Sequence, residues 1–123
     1  MTPPRQGWLA LVLPLAVLAA GCSVAPKTFQ KINDPAAITR ARSVSLGGRL
    51  PQWQVVPSLI DRLEDPDRVV RLAAFEELKK DTGKTFGYRP WASDTDRMSA
   101  VERWRAWWKQ KQAGLFRSAP SKE

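Results

Sequence analysis

The polar and apolar positions divide the chain into an apolar leader and a series of amphipathic segments. Apolar residues run from Trp8 to Ala20, interrupted by Pro14. From Asp34 onward, apolar residues recur three and four positions apart, which is the spacing of one face of an α-helix. The pattern predicts an all-α domain that follows an apolar leader.

The first two predicted helices are separated by a pair of glycines. One begins at Asp34-Pro35, an N-cap followed by a first-turn proline, and continues from Ala36 to Leu46 until Gly47-Gly48. The next runs from about Gln52 to Glu64, with Pro57 in its opening turns. Its predicted apolar face consists of Val55, Val56, Leu59, Ile60 and Leu63.

Two further helices follow the turn Asp65-Pro66-Asp67. The third ends near residues 81–83, and the loop from Thr82 to Trp91 is expected to close one end of the core with its aromatic rings. The fourth begins at Ser93 or Asp94 and extends to about Gln112. The predicted apolar faces are Val69, Val70, Leu72, Ala73, Phe75 and Leu78 in the third helix, and Met98, Val101, Trp104 and Trp108, widened by Ala100 and Trp107, in the fourth.

The segments that flank the helices lack a sustained period. Residues 22–33 mix Pro26 with polar and isolated apolar residues, which predicts a flexible tether. Residues 114–123 are predicted to form a disordered tail. The expected organisation is therefore a leader over residues 1–21, the tether, a helical domain over residues 34–113, and the tail.

The helical domain contains an internal repeat. An offset of 31 residues places Asp34-Pro35 on Asp65-Pro66, Ile38 on Val69, and Arg40 on Arg71. Self-similarity of this kind is typical of arrays of helical hairpins.

The run from Leu59 to Leu78 resembles one HEAT repeat. That family has a leucine-rich first helix, an Asp at the turn, and Val-Arg followed by small residues at the start of the second helix. The resemblance implies a short helical-hairpin array of about four helices, with the Trp-rich last helix as its cap, and an interaction function. The matching positions are Asp65, Val70, Arg71, Ala74 and Leu78.

Composition narrows the chemistry. The net charge of +8 favours anionic neighbours. The chain has no histidine and one cysteine, Cys22, so it lacks the usual proton-transfer side chain, an intramolecular disulfide and a Cys/His zinc cluster. We therefore expect no enzymatic activity, no metal and no cofactor.

The leader has the layout of a secretion signal. A positive start at Arg5 precedes the apolar run, which is shorter than the roughly 20 residues that span a bilayer. The segment Leu18-Ala19-Ala20-Gly21-Cys22 resembles the lipobox of bacterial lipoproteins. The resemblance implies cleavage between Gly21 and Cys22 and attachment of a diacylglycerol to Cys22. The alternatives are an ordinary secretory signal with a nearby cysteine, or a buried apolar helix.

The lipobox also predicts a location. Lipidation of Cys22 would anchor the chain in a bacterial cell envelope. Ser23 follows the cysteine where an Asp would, by family analogy, favour retention at the inner membrane. The expected site is the outer membrane, facing the periplasm.

Two short motifs resemble ligand sites. Thr82-Gly83-Lys84-Thr85 has the letters of a phosphate loop, but the upstream glycine and the preceding strand are absent, so a helix C-cap is the preferred interpretation. The pairs Asp65/Asp67 and Asp94/Asp96 could suggest a divalent cation, although turn and N-cap roles are more economical.

Arginine, lysine and tryptophan side chains supply the candidate interaction surface. The arginines could line a basic groove or form a solvated face with local ion pairs. The tryptophans could form a binding platform, although their helical spacing favours the core, with Trp107 at its edge. The candidate residues are Arg40, Arg62, Arg68, Arg71, Trp107 and Lys111.

These features predict a membrane-anchored, non-catalytic scaffold or adaptor that binds another envelope protein and does not bind nucleic acid. The alternative is a lipoprotein that holds an anionic glycan or lipid headgroup on a basic surface that contains tryptophan. An enzyme is the least favoured class.

Overall fold

The computed structural model describes Thr2 and residues 28–117, and this part of the chain is all-α, as predicted. Two short 3-10 helices, Phe29–Asn33 and Val44–Gly47, flank the first α-helix. The last helix contains Trp104, Trp107 and Trp108, as the sequence indicates. The α-helices are α1 (Ala37–Ser43), α2 (Gln52–Arg62), α3 (Arg68–Thr82) and α4 (Asp94–Arg117).

Apart from Thr2, the predicted signal segment lies outside the described residues, as do the lipidation site at Cys22, the rest of the predicted tether up to residue 27, and residues 118–123 of the predicted tail. Residues 114–117, predicted to belong to the tail, continue α4. Within the described part of the chain, no helix has both the length and the hydropathy that crossing a bilayer requires.

The packed domain begins earlier than residue 34. The last residues of the predicted tether form the first 3-10 helix, and Phe29 and Ile32 are buried in the core. A 3-10 helix has three residues per turn, so side chains three positions apart project from the same side. Five residues are too few to reveal this period in the sequence, which explains why the segment was expected to be flexible.

Helix α1 is shorter than predicted, because the chain tightens into the second 3-10 helix after Ser43. The N-cap position is Ala36, and Asp34 Oδ1 accepts a hydrogen bond of 2.9 Å from the Ala36 N–H. The 3-10 turn brings Gly47 against the core, where an added Cβ would lie 2.9 Å from Val55 Cγ1 and 3.1 Å from Phe29 Cδ2. Only glycine fits this approach without displacing its neighbours.

Helices α2 and α3 form an antiparallel hairpin around the turn at residues 63–67. All five residues predicted for the apolar face of α2 are buried. In α3, Val70, Phe75 and Leu78 are buried as predicted, but Val69 and Leu72 are 56% and 44% exposed. These two residues are three positions apart, so they share a face of α3 that turns away from the core.

The loop after α3 and helix α4 close the other side of the core. Tyr88 is buried and donates a 2.5 Å hydrogen bond to the Leu63 carbonyl, while the Phe86 ring packs edge-on against Trp104 with centroids 4.8 Å apart. Trp91, expected to join them, is 76% exposed. Helix α4 buries Ala100, Val101, Trp104 and Trp108 and leaves Met98 exposed, in contrast to the prediction for that residue.

Helix α4 runs antiparallel to α2. Arg105 Nη2 lies 2.8 Å from Glu64 Oε2 near the end of α2, and Lys111 Nζ lies 3.3 Å from Gln52 Oε1 at its start. The last helix therefore covers α2 along its length, which is the capping position that the sequence predicts for it.

The close approach at Gly47 gives a stability prediction. Gly47→Ala should destabilise the domain by about 1–3 kcal/mol, because the new Cβ would overlap the side chains of Val55 and Phe29. Urea unfolding followed by circular dichroism measures the change.

The neighbouring glycine provides the control. An added Cβ at Gly48 has no heavy atom within 4 Å, and its φ of −61° suits alanine. Gly48→Ala should be neutral or stabilise by about 0.4–1 kcal/mol. Equal losses of stability in the two variants would contradict the packing role of Gly47.

Candidate interaction surfaces

A buried carboxylate joins the two repeats. Asp65, in the turn before α3, accepts hydrogen bonds from Arg40 of α1: Nε lies 2.8 Å from Oδ2, and Nη2 lies 2.9 Å from Oδ1. The Asp65 side chain has no exposed surface. A bidentate pair of this geometry fixes both the distance and the orientation of α1 relative to the α2–α3 hairpin.

The 31-residue offset is repeated in the hydrogen bonding. Arg40 Nη1 donates to the carbonyls of Asp34 (2.8 Å) and Pro35 (2.9 Å). Arg71 Nη1 donates to the corresponding carbonyls of Asp65 (2.8 Å) and Pro66 (3.1 Å). Each arginine therefore holds the turn that precedes its own helix.

The two arginines differ in their remaining contacts. The Nε of Arg40 donates to the carboxylate of the next repeat, whereas the Nε of Arg71 donates to the Pro90 carbonyl at 3.1 Å. The Pro90 carbonyl in the loop before α4 therefore takes the place that the Asp65 carboxylate has beside Arg40. A polar cleft of about 450 Å³ lies beside Arg71, between Glu64, Asp94 and Arg97.

The structure does not bring the six predicted surface residues together. Arg40 and Arg71 are buried, and Arg62 Nη1 lies 3.3 Å from Asp65 Oδ2, so these three arginines surround Asp65 instead of forming an open groove. Arg68 is exposed at the start of α3, and Trp107 and Lys111 lie on α4.

The environment of Asp65 controls its ionisation. Burial alone would raise the pKa of its carboxyl group. The hydrogen bonds from Arg40 and the Asp67 N–H, together with the charges of Arg40 and Arg62, outweigh burial and lower the pKa below its ordinary value. Asp65 is therefore charged at neutral pH. Burial also raises the pKa of Tyr88 to about 12, so its hydroxyl remains a hydrogen-bond donor.

An exposed apolar groove lies on the outer face of α3. It has a volume of about 180 Å³ and is lined by Val69, Leu72, Pro90 and Trp91, with Arg68 at its edge. Ile38, which corresponds to Val69 in the repeat, is also exposed. We call Arg68, Val69, Leu72, Pro90 and Trp91 the α3 groove.

The helical pattern predicts that Val69 and Leu72 are buried in the core, whereas the structure exposes them in this groove. The three-residue spacing of the two side chains, on the edge of a broad apolar arc, is the signal that could have indicated it.

Two lysine amines lie beside the ring of Trp107. Lys84 Nζ and Lys111 Nζ lie 5.7 and 5.3 Å from its ring centroid, within the range of cation–π contacts. Trp104 and Trp108 are buried in the core, so of the three tryptophans in this part of α4 only Trp107 reaches the surface, and only in part.

The segment Thr82-Gly83-Lys84-Thr85, which resembles a phosphate loop, forms the predicted C-cap of α3. Gly83 has a φ of +70° and donates from its N–H to the Lys79 carbonyl at 2.8 Å. The Thr82 hydroxyl accepts a hydrogen bond of 3.2 Å from the Lys84 N–H. The loop therefore uses its polar groups to end α3.

Among the four aspartates that could suggest a cation site, Asp65 and Asp67 act at the turn and cap before α3. Asp94 instead pairs with Arg97, and the Asp96 carboxylate lies 3.9 Å from Arg89 Nη2. Asp67 caps α3 by accepting from the N–H groups of Val69 (2.8 Å) and Val70 (3.2 Å), and the Ser93 hydroxyl accepts from Asp96 N–H at 3.2 Å. Within residues 28–117, no group of three or more Cys, Asp or Glu side chains is placed to hold a metal ion.

No protein-family model, curated protein or solved structure matches the chain.

The ion pair at Asp65 generates the second prediction. Asp65→Asn should destabilise the domain by about 2–4 kcal/mol, because it removes the charge that compensates buried guanidinium groups. Asp61→Asn is the control, since Asp61 is exposed and lies 3.4 Å from Arg105 Nη2, so its loss should cost at most about 0.5 kcal/mol.

Asp65→Asn should also change how the free energy of unfolding depends on pH. The pKa of Asp65 is lower in the folded than in the unfolded state, so its charge stabilises the fold above about pH 4. This contribution is lost as pH falls through the folded pKa. Urea unfolding should show a smaller loss of stability below pH 4 in Asp65→Asn than in the wild type, and parallel pH profiles would contradict the assignment.

Proposed function

We propose that this chain is a lipid-anchored protein of a bacterial cell envelope, whose helical domain is a non-catalytic scaffold or adaptor for another envelope protein. The resemblance of Leu18-Ala19-Ala20-Gly21-Cys22 to a lipobox supports the anchor. The resemblance of Leu59 to Leu78 to a HEAT repeat supports an interaction role, and the 31-residue correspondence in hydrogen bonding agrees with a repeated unit.

The observation that carries the binding role is the α3 groove. Val69, Leu72 and Trp91 are large apolar side chains that expose 56%, 44% and 76% of their surfaces beside one another. An apolar cluster of this kind is stabilised when a partner covers it, and tryptophan at the centre of an interface often contributes a large share of the binding energy. Arg68 at the edge favours a partner that places an acidic side chain there.

The anchor would assist such binding. Attachment of Cys22 to a membrane confines the domain to a thin layer next to the bilayer, which raises its effective concentration toward any partner in the same layer. The outer membrane, with the domain facing the periplasm, is the proposed location.

A second candidate function is the binding of an anionic glycan or lipid headgroup near Trp107. The amines of Lys84 and Lys111 beside its partly exposed ring favour this candidate, because they could contact an anionic group while the ring stacks on a sugar. The tryptophan of the α3 groove, Trp91, is more exposed than Trp107. Among the cation–π contacts of residues 28–117, none places a lysine amine over the Trp91 ring. Protein binding is therefore the preferred proposal.

The anchor is tested at the native N-terminus. Mass spectrometry of protein purified from its natural envelope should show a chain that begins at Cys22 and carries a diacylglycerol. Cys22→Ala should abolish both the lipid and cleavage before residue 22. A native chain that begins elsewhere, or that has no lipid on Cys22, would contradict the proposal.

Protein binding is tested by photo-cross-linking in intact envelopes. A photoreactive residue at Leu72 should give reproducible adducts with the same protein, whereas one at the exposed Gln110 of α4 should not. Trp91→Ala should weaken binding roughly 30-fold, as expected for an interface tryptophan worth about 2 kcal/mol, and should lower the adduct yield from position 72 by up to that factor. Indistinguishable adducts from the two positions would argue against the α3 groove.

A further inference from the structure

The described helical domain begins at a defined place on the fold. Phe29 is buried, and its ring lies so close to Gly47 that an added Cβ there would be 3.1 Å from Phe29 Cδ2. The first 3-10 helix packs against the second, which ends at Gly47. The described domain therefore begins beside Gly47.

Exposed apolar residues lie within a few positions of Gly47 in the chain. Leu46 precedes Gly47, and the Leu50 N–H donates to the Gly47 carbonyl at 2.9 Å, so both leucines flank the glycine in a tight turn. Each exposes more than a third of its surface. Trp53, in the first turn of α2, is 66% exposed. We call Leu46, Leu50 and Trp53, together with Arg49, the entry face.

The chain segment that contains the entry face has only basic charged residues. Residues 35–60 contain no Asp or Glu, but they contain Arg40, Arg42 and Arg49. Arg40 is buried against Asp65, whereas Arg42 and Arg49 are exposed. Lys111, which bonds to Gln52 at 3.3 Å, adds another cation beside the start of α2. Glu76 and Glu77 of α3 line a cleft with Val44 and Ser45, but they are paired with Lys79 and Lys80 at 2.9 Å. A surface that combines tryptophan, leucine and arginine matches the headgroup region of an anionic bilayer, where aromatic rings and cations are both stabilised.

The length of the connecting segment limits where this face can be. Cys22 and Thr28 are six residues apart. Six residues span at most about 20 Å when fully extended. A lipid on Cys22 would therefore hold the entry face close to the bilayer.

We propose that the entry face rests on the surface of an anionic lipid bilayer. The proposal uses the proposed anchor for its distance argument, while the exposed Leu46, Leu50, Trp53 and Arg49 come from the structure itself. A second copy of the chain is a poorer occupant, because a symmetric contact would place like charges opposite each other. The bilayer instead supplies the opposite charge.

Vesicle binding by the chain from Ser23 to Glu123 tests the entry face without the lipid. This chain keeps all of residues 28–117. Sedimentation with vesicles that contain phosphatidylglycerol should show binding that vesicles of phosphatidylcholine alone do not support. Trp53→Ser and Arg49→Glu should each lower the partition coefficient about tenfold, because they remove an interfacial ring or reverse a charge at the surface.

Matched substitutions elsewhere are the controls. Trp91→Ser and Arg68→Glu alter an exposed tryptophan and an exposed arginine at the α3 groove. These two changes should alter partitioning less than twofold. Equal losses in both pairs, or no binding to anionic vesicles, would overturn the proposal. Dimerisation without vesicles that Trp53→Ser abolishes would also overturn it, in favour of a second copy.

The test is independent of lipidation because the chain lacks Cys22. A native N-terminus without lipid would remove the anchor and the distance argument but would leave the vesicle result standing. If the native chain carries the lipid but the chain from Ser23 does not bind anionic vesicles selectively, the proposed bilayer contact of the entry face is wrong and the proposed anchor stands.

Discussion

The carboxylate of Asp65 is the contact around which the domain is organised. A buried charge of this kind is stable only when opposite charges and hydrogen-bond donors surround it. Arg40 from α1, Arg62 from α2 and the Asp67 N–H before α3 supply them. Three helices must therefore meet at one turn. The bidentate pair with Arg40 specifies one position for α1 relative to this turn.

The second repeat shows how the array ends. Arg71 holds its own turn as Arg40 does, but its Nε bonds to Pro90 instead of a carboxylate. The aromatic loop bends back at this point, Tyr88 bonds to the end of α2, and α4 then covers α2 in the antiparallel direction. An array of helical hairpins exposes an apolar side at each end, and this loop and helix cover the side that follows the second repeat.

The sequence predicts features that depend on local spacing and misses those that depend on neighbours. The predicted buried face of α2 is confirmed, because five apolar residues at helical spacing lie on one side of the helix and are buried together. Val69 and Leu72 were assigned to the core because a broad apolar arc does not reveal which part a neighbour covers. The 31-residue offset that aligns Arg40 with Arg71 is evident in the sequence. Both side chains are nevertheless buried because they bond to Asp65, and the repeat pattern alone does not predict where Asp65 lies in the fold. Phe29 and Ile32 were missed because a single 3-10 turn has no measurable period.

The two exposed apolar surfaces lie at opposite ends of the α2–α3 hairpin. Trp53 of the entry face is in the first turn of α2, whereas Val69 of the α3 groove is in the first turn of α3, beside the end of α2. A helix rises 1.5 Å per residue, so the 11 residues of α2 separate these ends by about 16 Å. If the entry face rests on a bilayer, the α3 groove is held away from the lipid and is open to the aqueous side. The proposed membrane contact and the proposed protein contact therefore require different surfaces, and one molecule can make both at the same time.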